Sequence, residues 1–579
     1  MSGKSGSVFL RLLRALMPHR RYMLTASSAL VLSTGLQLVG PYLIKVGIDG
    51  FMLTRDAGGL LKIGVWYLAV QLGLMLFSYL EINAVALAAQ GLMRDFRKAA
   101  YDHLSRLHTA FFDRTPAGKL ITNVTHDVES LNELISSGLV TILGDLFILA
   151  GITAVMFWMD AGLAVLAVSL TPLVILMTRF FAKRLRAAYL MIRHQVALLT
   201  IYIQERVAGM RIVQVFNRER DTLAQHHRLN LDHHNANVAS IRLHAIFNPL
   251  IAFLSTVTVA VILWVGSLKV ISGELTLGSL VAFLVYVEMY FKPIGDLSEK
   301  FNILQGAAAS CEKIFDLLDE PPGILDPPVA AAPAEPLTVD FERVDFAYDG
   351  HAVLSDVSFS VRPGEMIAVV GPTGAGKTTL VNLLLRLYDV KGGAVRVGGA
   401  DVRHLKQHDL RSLFGIVSQN VFLFSGSLWE NVTLGDDSLD LAYVRSCLES
   451  VGARAFVERL AGGSGEEELP EEAKTLSAGE RQLLSVARAL AHEPRILILD
   501  EATALIDSET ERKVQETLKA LRGKVTQIVI AHRLSTIEEA DRILVINEGR
   551  LIETGTHEEL MRRRGMYWGF TQRIGTRMA

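Results

Sequence analysis

A glycine-rich run in the second half of the chain has the residue types that bind phosphate. It reads GPTGAGKTT and spans residues 371–379. The run follows an apolar, strand-like segment, MIAVV, and precedes an apolar helical pattern, LVNLLLRL. Glycines let backbone N–H groups converge on phosphate oxygens at a helix N-terminus, a lysine neutralises terminal phosphates, and a hydroxyl can bind Mg²⁺. The run therefore predicts a phosphate-binding loop for a nucleotide.

Each residue of this loop has an expected role. Lys377 is expected to neutralise the terminal phosphates, and the hydroxyl of Thr378 is expected to bind Mg²⁺. The rest of the loop contacts the nucleotide mainly through its backbone. The other residues expected at the nucleotide are Gly371, Thr373, Gly374, Ala375, Gly376 and Thr379.

A second segment, RILILDE at 495–501, has the apolar pattern of a buried strand and ends in two carboxylates. Asp500 is placed to hold the Mg²⁺ shell, and Glu501 is placed to polarise an attacking water. A second acid beside a metal-binding acid indicates hydrolysis. Together the two segments predict a site that binds and hydrolyses a nucleotide.

These segments lie in the second half of a chain of 579 residues, which is too long for one hydrophobic core. Half of the residues (50%) are apolar and only 20% are charged. Six long apolar stretches explain this composition, and each can cross a hydrocarbon layer of about 30 Å. Their recurrence favours membrane spans over buried helices of a soluble protein. They lie near residues 23–48, 62–90, 136–159, 161–181, 245–268 and 275–295.

Basic residues between the predicted spans indicate the orientation of the chain, because Lys and Arg are retained on the cytoplasmic side. The connections between spans two and three and between spans four and five are rich in both. The opposite connections are short and nearly free of them, with Arg55 and Lys269 as exceptions. We therefore expect an integral protein of the cytoplasmic membrane whose C-terminal part lies in the cytoplasm.

Composition divides the chain into four regions. Residues 1–20 mix leucines with arginines and predict an amphipathic elbow helix on the membrane surface. Residues 21–317 hold the spans and two long helical extensions, and residues 318–336 form a Pro- and Ala-rich linker. Residues 337–579 alternate strand and helix patterns, as an α/β domain does. The net charge of −2 offers no overall attraction for nucleic acid, and the two cysteines are expected to be buried free thiols.

A third motif, LSAGERQLLSVARAL at 476–490, ends ten residues before Asp500. With the phosphate loop and the six spans, it resembles the ATP-binding cassette (ABC) family, and specifically exporters in which six membrane helices precede one cassette. The resemblance covers nearly the whole chain. It implies an all-α transmembrane domain of the type IV exporter kind, followed by an α/β phosphate-loop NTPase cassette that binds ATP and Mg²⁺.

The resemblance implies further site residues. Tyr348 in FAYDG would stack on adenine, Gln419 in VSQN would sense Mg²⁺ and the membrane domain, and His532 in AHRLST would contact the γ-phosphate. Gln419 and His532 thus join Glu501 as catalytic candidates, and Gln419 is also a candidate at the metal. Asp507, after the metal-binding strand, is assigned to the nucleotide. Outside this context, each would be an ordinary packing or surface residue.

The resemblance also implies a partner, because in this family two cassettes enclose two ATP molecules. Each ATP lies between the phosphate loop of one half-transporter and the signature of the other. The signature positions in this chain are Ser477 and the backbone near Gly479, at the positive end of a helix. Two segments resemble coupling helices: the run from Phe111, expected to dock near Gln419, and FNRER at 216–220.

The signature departs from the usual Leu-Ser-Gly-Gly-Gln at Ala478 and Glu480. Ala478 adds a methyl group where backbone approaches phosphate, and the carboxylate of Glu480 is expected to lie near an anion, where like charges repel. Beyond Asp500, Ala504 replaces a serine of the family, while the phosphate loop is intact. This imbalance favours a heterodimer with one impaired ATP site, and a homodimer with two tolerant sites is the alternative.

The implied function is ATP-driven export of hydrophobic or amphipathic compounds, either drugs or lipids, by alternating access. A lipid or lipid-linked glycan flippase is the closest alternative, and an ATP-gated regulatory or importing subunit is another. Six spans exclude a soluble DNA-repair or translation ATPase, so lipids and a substrate are expected to contact the chain and nucleic acid is not. Glu81, Asp145 and Glu288 lie in or near predicted spans, where they either favour cationic substrates or have structural partners.

Overall fold

The computed structural model of the protein describes residues 10–12, 14–454, 457–458, 468–469, 476–500, 508–530 and 534–578. The chain forms two compact units. The first, called the membrane unit here, consists of Met1–Ser105 and Pro116–Glu320. The second, called the cassette unit, consists of Arg106–Thr115 and Pro321–Ala579. A short segment between two membrane-unit helices therefore belongs to the cassette unit.

The membrane unit is helical, and among its described residues six helical stretches are long and apolar enough to cross a membrane. This confirms the predicted number of spans. The stretches are Leu10–Met52, Ala57–Leu104, Ala117–Met159, Ala161–Ala208, Glu219–Ile271 and Leu277–Ile294. The helices are α1 Arg20–Val46, α2 Ala57–Leu104, α4 Ala117–Val124, α5 His126–Glu133, α6 Val140–Met159, α7 Ala161–Ser169, α8 Thr171–Ala208, α9 Met210–Val215, α10 Glu219–Ile271 and α11 Leu277–Leu318, and α3 Thr109–Arg114 belongs to the cassette unit.

The N-terminal segment packs against protein. Leu12 and Leu16 are buried in a cluster that includes Met93 of α2. Both terminal nitrogens of the Arg11 guanidinium donate to the carboxylate of Asp319, just beyond α11, at 2.6 and 2.8 Å. The sequence pattern identified an amphipathic segment, and the structure shows that its buried leucines contact other helices of the membrane unit.

The cassette unit contains an α/β core and a smaller antiparallel sheet. Its strands are β1 Val339–Tyr348, β2 His351–Val361, β3 Met366–Val370, β4 Gly392–Val397, β5 Ala400–Asp401, β6 Phe414–Val417, β7 Gly426–Ser427, β8 Glu468–Leu469, β9 Ile496–Asp500, β10 Thr526–Ile530, β11 Arg542–Asn547 and β12 Arg550–Gly555. Six strands form the main sheet in the order β12-β11-β3-β10-β9-β6, in which β12 alone runs antiparallel to its neighbour. Four more form the sheet β2-β1-β4-β5.

Helices flank the strands of the cassette unit, as the alternating pattern predicted. All five residues of β3 and of β10 are buried, as expected for central parallel strands covered on both faces. The helices after α11 are α12 Lys377–Leu384, α13 Gln407–Arg411, α14 Leu428–Thr433, α15 Leu441–Ser450, α16 Ala478–Ala491, α17 Ser508–Ala520, α18 Leu534–Glu538, α19 His557–Arg563 and α20 Met566–Met578. Both cysteines are buried and free.

The segment between α11 and β1 contains the predicted linker and is tied to the cassette unit. The backbone N–H of Ala331 donates to the carbonyl of His404 at 2.9 Å, and that of Ala334 donates to the carbonyl of Gly398 at 3.0 Å. These bonds give the extended chain fixed backbone partners. The segment therefore has more fixed structure than its Pro- and Ala-rich composition indicated.

Candidate nucleotide-binding site

The glycine-rich run connects the central strand β3 to helix α12. Lys377, the first residue of α12, is 8% exposed. Its Nζ donates to the carbonyl of Gly371 at 2.9 Å and to that of Pro372 at 3.0 Å. These bonds hold a buried ammonium inside the loop, at the positive end of a helix. The arrangement is suited to binding an anion with several phosphate oxygens.

Two glycines are required by the geometry of the loop. Gly376 has a φ of +102°, and a Cβ there would lie 2.7 Å from Cδ2 of Leu354. A Cβ on Gly371 would lie 2.1 Å from the backbone carbonyl oxygen of Ile546. Side chains at these positions would strain the backbone or displace it. Of the other predicted loop residues, Ala375 and Thr379 are buried, whereas Thr373 and Gly374 are exposed.

The predicted metal-binding residues meet at the same edge of the main sheet. Strand β10 pairs in parallel with β3 on one side and with β9 on the other, so the phosphate loop after β3 and Asp500 at the end of β9 lie at the same carboxyl edge. The Thr378 hydroxyl donates to Oδ2 of Asp500 at 3.5 Å. Hydroxyl and carboxylate oxygens are ligand types that Mg²⁺ accepts, so this pair fits the predicted ion.

Tyr348, the last residue of β1, is held by two kinds of contact. The side-chain amide of Asn382 donates to its hydroxyl at 3.2 Å. The rings of Phe346 and Tyr388 lie edge-on to it, with centroids 4.7 and 5.0 Å away. Asn382 lies on α12, so the helix that begins at the phosphate loop also positions the predicted adenine-stacking residue. The sequence interpretation missed Asn382 and Tyr388, for which no motif gave a signal.

The predicted signature begins α16, and its serine is the N-cap of that helix. The Ser477 hydroxyl accepts from the backbone N–H of Glu480 at 3.2 Å. In return, Oε2 of Glu480 accepts from the backbone N–H of Ser477 at 2.7 Å, which completes a capping box. The Glu480 carboxylate thus has a hydrogen-bonding role at the helix end, and its predicted repulsion of a nearby phosphate stays a prediction. Gly479 is the second residue of α16 and is half-buried.

The comparisons with known proteins agree with this architecture. Residues 23–294 match the family model of the ABC transporter transmembrane region, and residues 354–504 match a second family model, described as ABC transporter. The chain is 36% identical over 570 residues to the uncharacterized ABC transporter ATP-binding protein YknV of Bacillus subtilis, covering 97% of this chain and 94% of that protein. The chain belongs to the ABC transporter family. It joins one transmembrane region and one ATP-binding domain, as a half-transporter does.

Further relatives of this ABC half-transporter have more specific names. It is 32% identical to the ATP-dependent lipid A-core flippase of Syntrophus aciditrophicus, over 98% of this chain and 94% of the flippase. Among solved structures, it superposes on a bacterial Atm1-family ABC exporter with ATP bound, with a TM-score of 0.80 and 27% identity, over 96% of this chain and 98% of that one. The chain is therefore an integral membrane protein with the fold of an ABC exporter, and its ATP-binding domain couples ATP hydrolysis to transport.

Several predicted residues of this ABC half-transporter stay predictions. Gln419 is exposed just after β6. The catalytic candidates Glu501 and His532 lie outside the described residues, as do Asp507 and the substituted Ala504. For Glu501, the supporting observation is its place in the chain directly after Asp500, at the end of β9.

The connection between the second and third spans contributes α3 to the cassette unit of this ABC half-transporter. The hydroxyl of Tyr388 donates to the carboxylate of Asp113. The neighbouring Arg114 forms an ion pair with Asp349, the residue after Tyr348. Before α3, Nδ1 of His108 accepts from the backbone N–H of Gly323 at 2.9 Å. The coupling helix predicted from Phe111 onwards thus contacts the cassette beside Tyr348, and its predicted docking near Gln419 stays a prediction.

Proposed function

We propose that the chain is one half of a dimeric exporter that moves hydrophobic or amphipathic compounds across the cytoplasmic membrane, with its cassette in the cytoplasm. The observation that carries this proposal is the phosphate loop around buried Lys377, fused in one chain to six apolar spans. Relatives named as a lipid A-core flippase, a fatty acid transporter and a probable multidrug transporter support the amphipathic substrate class.

Each described residue of the site has one task in this proposal. Lys377 and the backbone N–H groups of its loop bind the terminal phosphates, and Tyr348 orients the adenine. Thr378 and Asp500 would hold Mg²⁺, which when bound neutralises charge on the phosphates. Glu501, carried over from the family, orients and deprotonates the attacking water.

The partner is proposed to be a second half-transporter, because in this family the signature of one chain completes the ATP site of another. A second surface also favours a partner. On α9 and just after it, Ile212, Val215 and Phe216 are 65%, 67% and 70% exposed. Neighbouring apolar side chains this exposed, outside the predicted apolar stretches, mark a contact surface. We propose that the partner's cassette covers it.

A heterodimer stays the favoured assembly. The capping box gives the Glu480 carboxylate a hydrogen-bonding role of its own, so Glu480 is a weaker argument for an impaired site than the sequence alone suggested. Ala478 and Ala504 still argue for one, because they alter positions that face the partner in the family. A homodimer with two working sites is the competing assembly.

The three carboxylates of the spans have different surroundings. Asp145 of α6 forms an ion pair with Lys300 of α11. Glu81 of α2 accepts from the Ser33 hydroxyl at 3.0 Å. Glu288 of α11 is exposed on the surface of the single chain. A carboxylate in a membrane span has to face water, a partner or a ligand, so we propose that Glu288 meets the cationic group of an amphipathic substrate.

A lipid or lipid-linked glycan flippase is the second candidate, because a lipid A-core flippase is among the relatives. Proteoliposomes with outward-facing cassettes would test both, by ATP-dependent uptake of a fluorescent lipophilic cation and by translocation of a fluorescent phospholipid. Cation uptake that is lost in Lys377→Ala supports the export proposal. Phospholipid movement alone supports the flippase, and ATP hydrolysis with neither movement contradicts both.

The carboxylate assignment has its own matched control in the same assay. Glu288→Gln is expected to lower cation uptake about tenfold, because it removes one charge-assisted contact. Glu274→Gln removes an exposed carboxylate between α10 and α11 and is expected to change nothing. Equal cation uptake by wild type and Glu288→Gln contradicts the assignment.

A further inference from the structure

Three aromatic side chains pack against one another at the end of β1, and Phe346, Tyr348 and Tyr388 are called the aromatic cluster here. The centroid of Tyr388 lies 5.0 Å from that of Tyr348 and 5.7 Å from that of Phe346. The three interplanar angles are 88°, 71° and 89°, so every pair is close to edge-to-face. This geometry is favourable over a narrow range of positions, so a displacement of one ring affects the other two.

The aromatic cluster is joined to α3 by a charge-assisted hydrogen bond. The hydroxyl of Tyr388 donates to the Asp113 carboxylate. Burial of the phenol, and then the nearby carboxylate, raise the pKa of Tyr388 well above its usual value. The hydroxyl therefore keeps its proton and can donate at any physiological pH.

A second contact joins α3 to the other side of Tyr348. Arg114 pairs with Asp349, which begins the turn between β1 and β2 with a φ of +45°. Both side chains are more than 60% exposed, so the ion pair adds little stability. Its importance is positional. Asp113 contacts Tyr388, whose ring packs on Tyr348, and the next residue of α3, Arg114, contacts Asp349, which follows Tyr348.

Tyr348 is also tied to the phosphate-binding helix. The Asn382 amide that donates to its hydroxyl lies on α12, which begins at Lys377. Tyr348 is thus joined to the phosphate-binding helix α12 through Asn382 and to the short helix α3 through Tyr388. Along the chain, α3 is directly followed and preceded by helices of the membrane unit, α4 and α2.

We propose that Tyr388 is a positioning residue that transmits the adenine-dependent position of Tyr348 to α3 through Asp113. The inference rests on the proposed function, because it requires adenine to bind at Tyr348. It goes further by assigning a route from the base of the nucleotide to the connection between the second and third spans. Tyr388 acts through its neighbours and does not contact the reacting atoms.

Hydrogen–deuterium exchange of the full-length protein in lipid nanodiscs tests this route, with and without a non-hydrolysable ATP analogue and Mg²⁺. In the wild type, the analogue is expected to slow exchange both in the phosphate loop, residues 371–379, and in residues 106–115. In Tyr388→Phe, which keeps the ring and removes the hydroxyl, protection of the phosphate loop persists. Protection of residues 106–115 falls about fivefold, as expected for the loss of one hydrogen bond.

Asp113→Ala tests the same bond from an exposed helical position, where the substitution leaves the core unchanged. It should reproduce the effect of Tyr388→Phe, and the double variant should be no worse than either single variant. Asp113→Asn keeps an acceptor oxygen and should restore most of the protection. Tyr443→Phe on α15 is the matched control and should leave both segments protected.

The outcomes separate this inference from the proposed function. If residues 106–115 stay fully protected in Tyr388→Phe while the phosphate loop is protected, the route through Tyr388 is wrong and nucleotide binding stands. If the analogue fails to protect the phosphate loop of the wild type, the proposed nucleotide site is wrong and the route is wrong with it. Additive losses in the double variant would show general loosening of α3 and would also overturn the route.

Discussion

The helices α12 and α16 both begin at motifs expected to contact phosphate, but their first turns differ. The N-cap of α12 is Gly376, which has no side chain to satisfy the backbone donors above it. The N-cap of α16 is Ser477, whose hydroxyl accepts from the third residue of the helix, while Glu480 bonds back. A helix start has about four N–H groups without a helical partner. At the phosphate loop these N–H groups have no side-chain cap and can donate to a ligand. At the signature, the Ser477 hydroxyl already accepts from one of them.

This difference predicts unequal contributions to ATP binding. The loop has a buried ammonium and backbone donors in one rigid turn, so most of the binding energy should come from it. The signature should add less, mainly through the Ser477 hydroxyl and the amides of Ala478 and Gly479. Substitutions at the two helix starts can therefore confirm or contradict the comparison.

The largest effect is expected at the phosphate loop. Lys377→Ala should lower ATP affinity about 100-fold, because it removes a charge-assisted contact with phosphate from a buried site. Binding of a fluorescent ATP analogue measures this directly. Lys391→Ala removes an exposed lysine of the same unit and should leave affinity unchanged. An affinity for Lys377→Ala within a few fold of wild type would contradict the importance given to the loop.

The next effect concerns the shape of the loop. Gly376→Ala should weaken ATP binding about tenfold, because the residue has a positive φ and the new Cβ would collide with Leu354. Gly523→Ala is the control, since Gly523 also has a positive φ but a Cβ there would meet open space. Both variants should be less stable than wild type on thermal unfolding. Equal ATP affinities would show that the loop tolerates the displacement.

A smaller effect is expected at the signature. Ser477→Ala removes the cap of α16 and should cost about 1 kcal/mol of stability. Ser427→Ala removes the matching capping box at α14, where Ser427 pairs with Glu430. Both should lower the thermal unfolding midpoint alike, but Ser477→Ala alone should also slow ATP hydrolysis, about fivefold. If the two variants hydrolyse ATP equally fast, the Ser477 hydroxyl has only a structural role.

The smallest effect is expected for Glu480→Gln. A glutamine can complete the same capping box, so hydrolysis should change by no more than about twofold. Steady-state ATPase assays measure this. A rise of tenfold or more would show that the carboxylate repels the nucleotide, as the sequence alone suggested, and would strengthen Glu480 as an argument for an impaired site.

Local patterns predicted a large part of the fold and of the site. The six spans, the buried strand segments and the phosphate loop each depend on residues close together in sequence, so composition and periodicity were enough to identify them. The proximity of Thr378 to Asp500 agrees with the assignment of both residues to Mg²⁺. The capping box of Ser477 and Glu480 was missed, although the spacing of these two residues is that of a capping box.

Contacts between distant segments could not be predicted from the sequence. Asp113 and Tyr388 are 275 positions apart, and although Asp113 lies in the run that resembles a coupling helix, Tyr388 belongs to no motif. The N-terminal leucines have a pattern that fits burial against lipid as well as against protein, and only the structure distinguishes the two. The route from Tyr348 to α3 therefore became visible only once the folded cassette unit was known.

The most direct test of the account is native mass spectrometry of the ATPase-active particle, purified through a tag on this chain and released from lipid nanodiscs. The account predicts two half-transporter chains in every active particle: this chain of 63.6 kDa and, for the favoured heterodimer, a second chain of different mass. Two copies of this chain would select the homodimer. An active particle with one copy of this chain and no second half-transporter would contradict an ATP site shared between two chains.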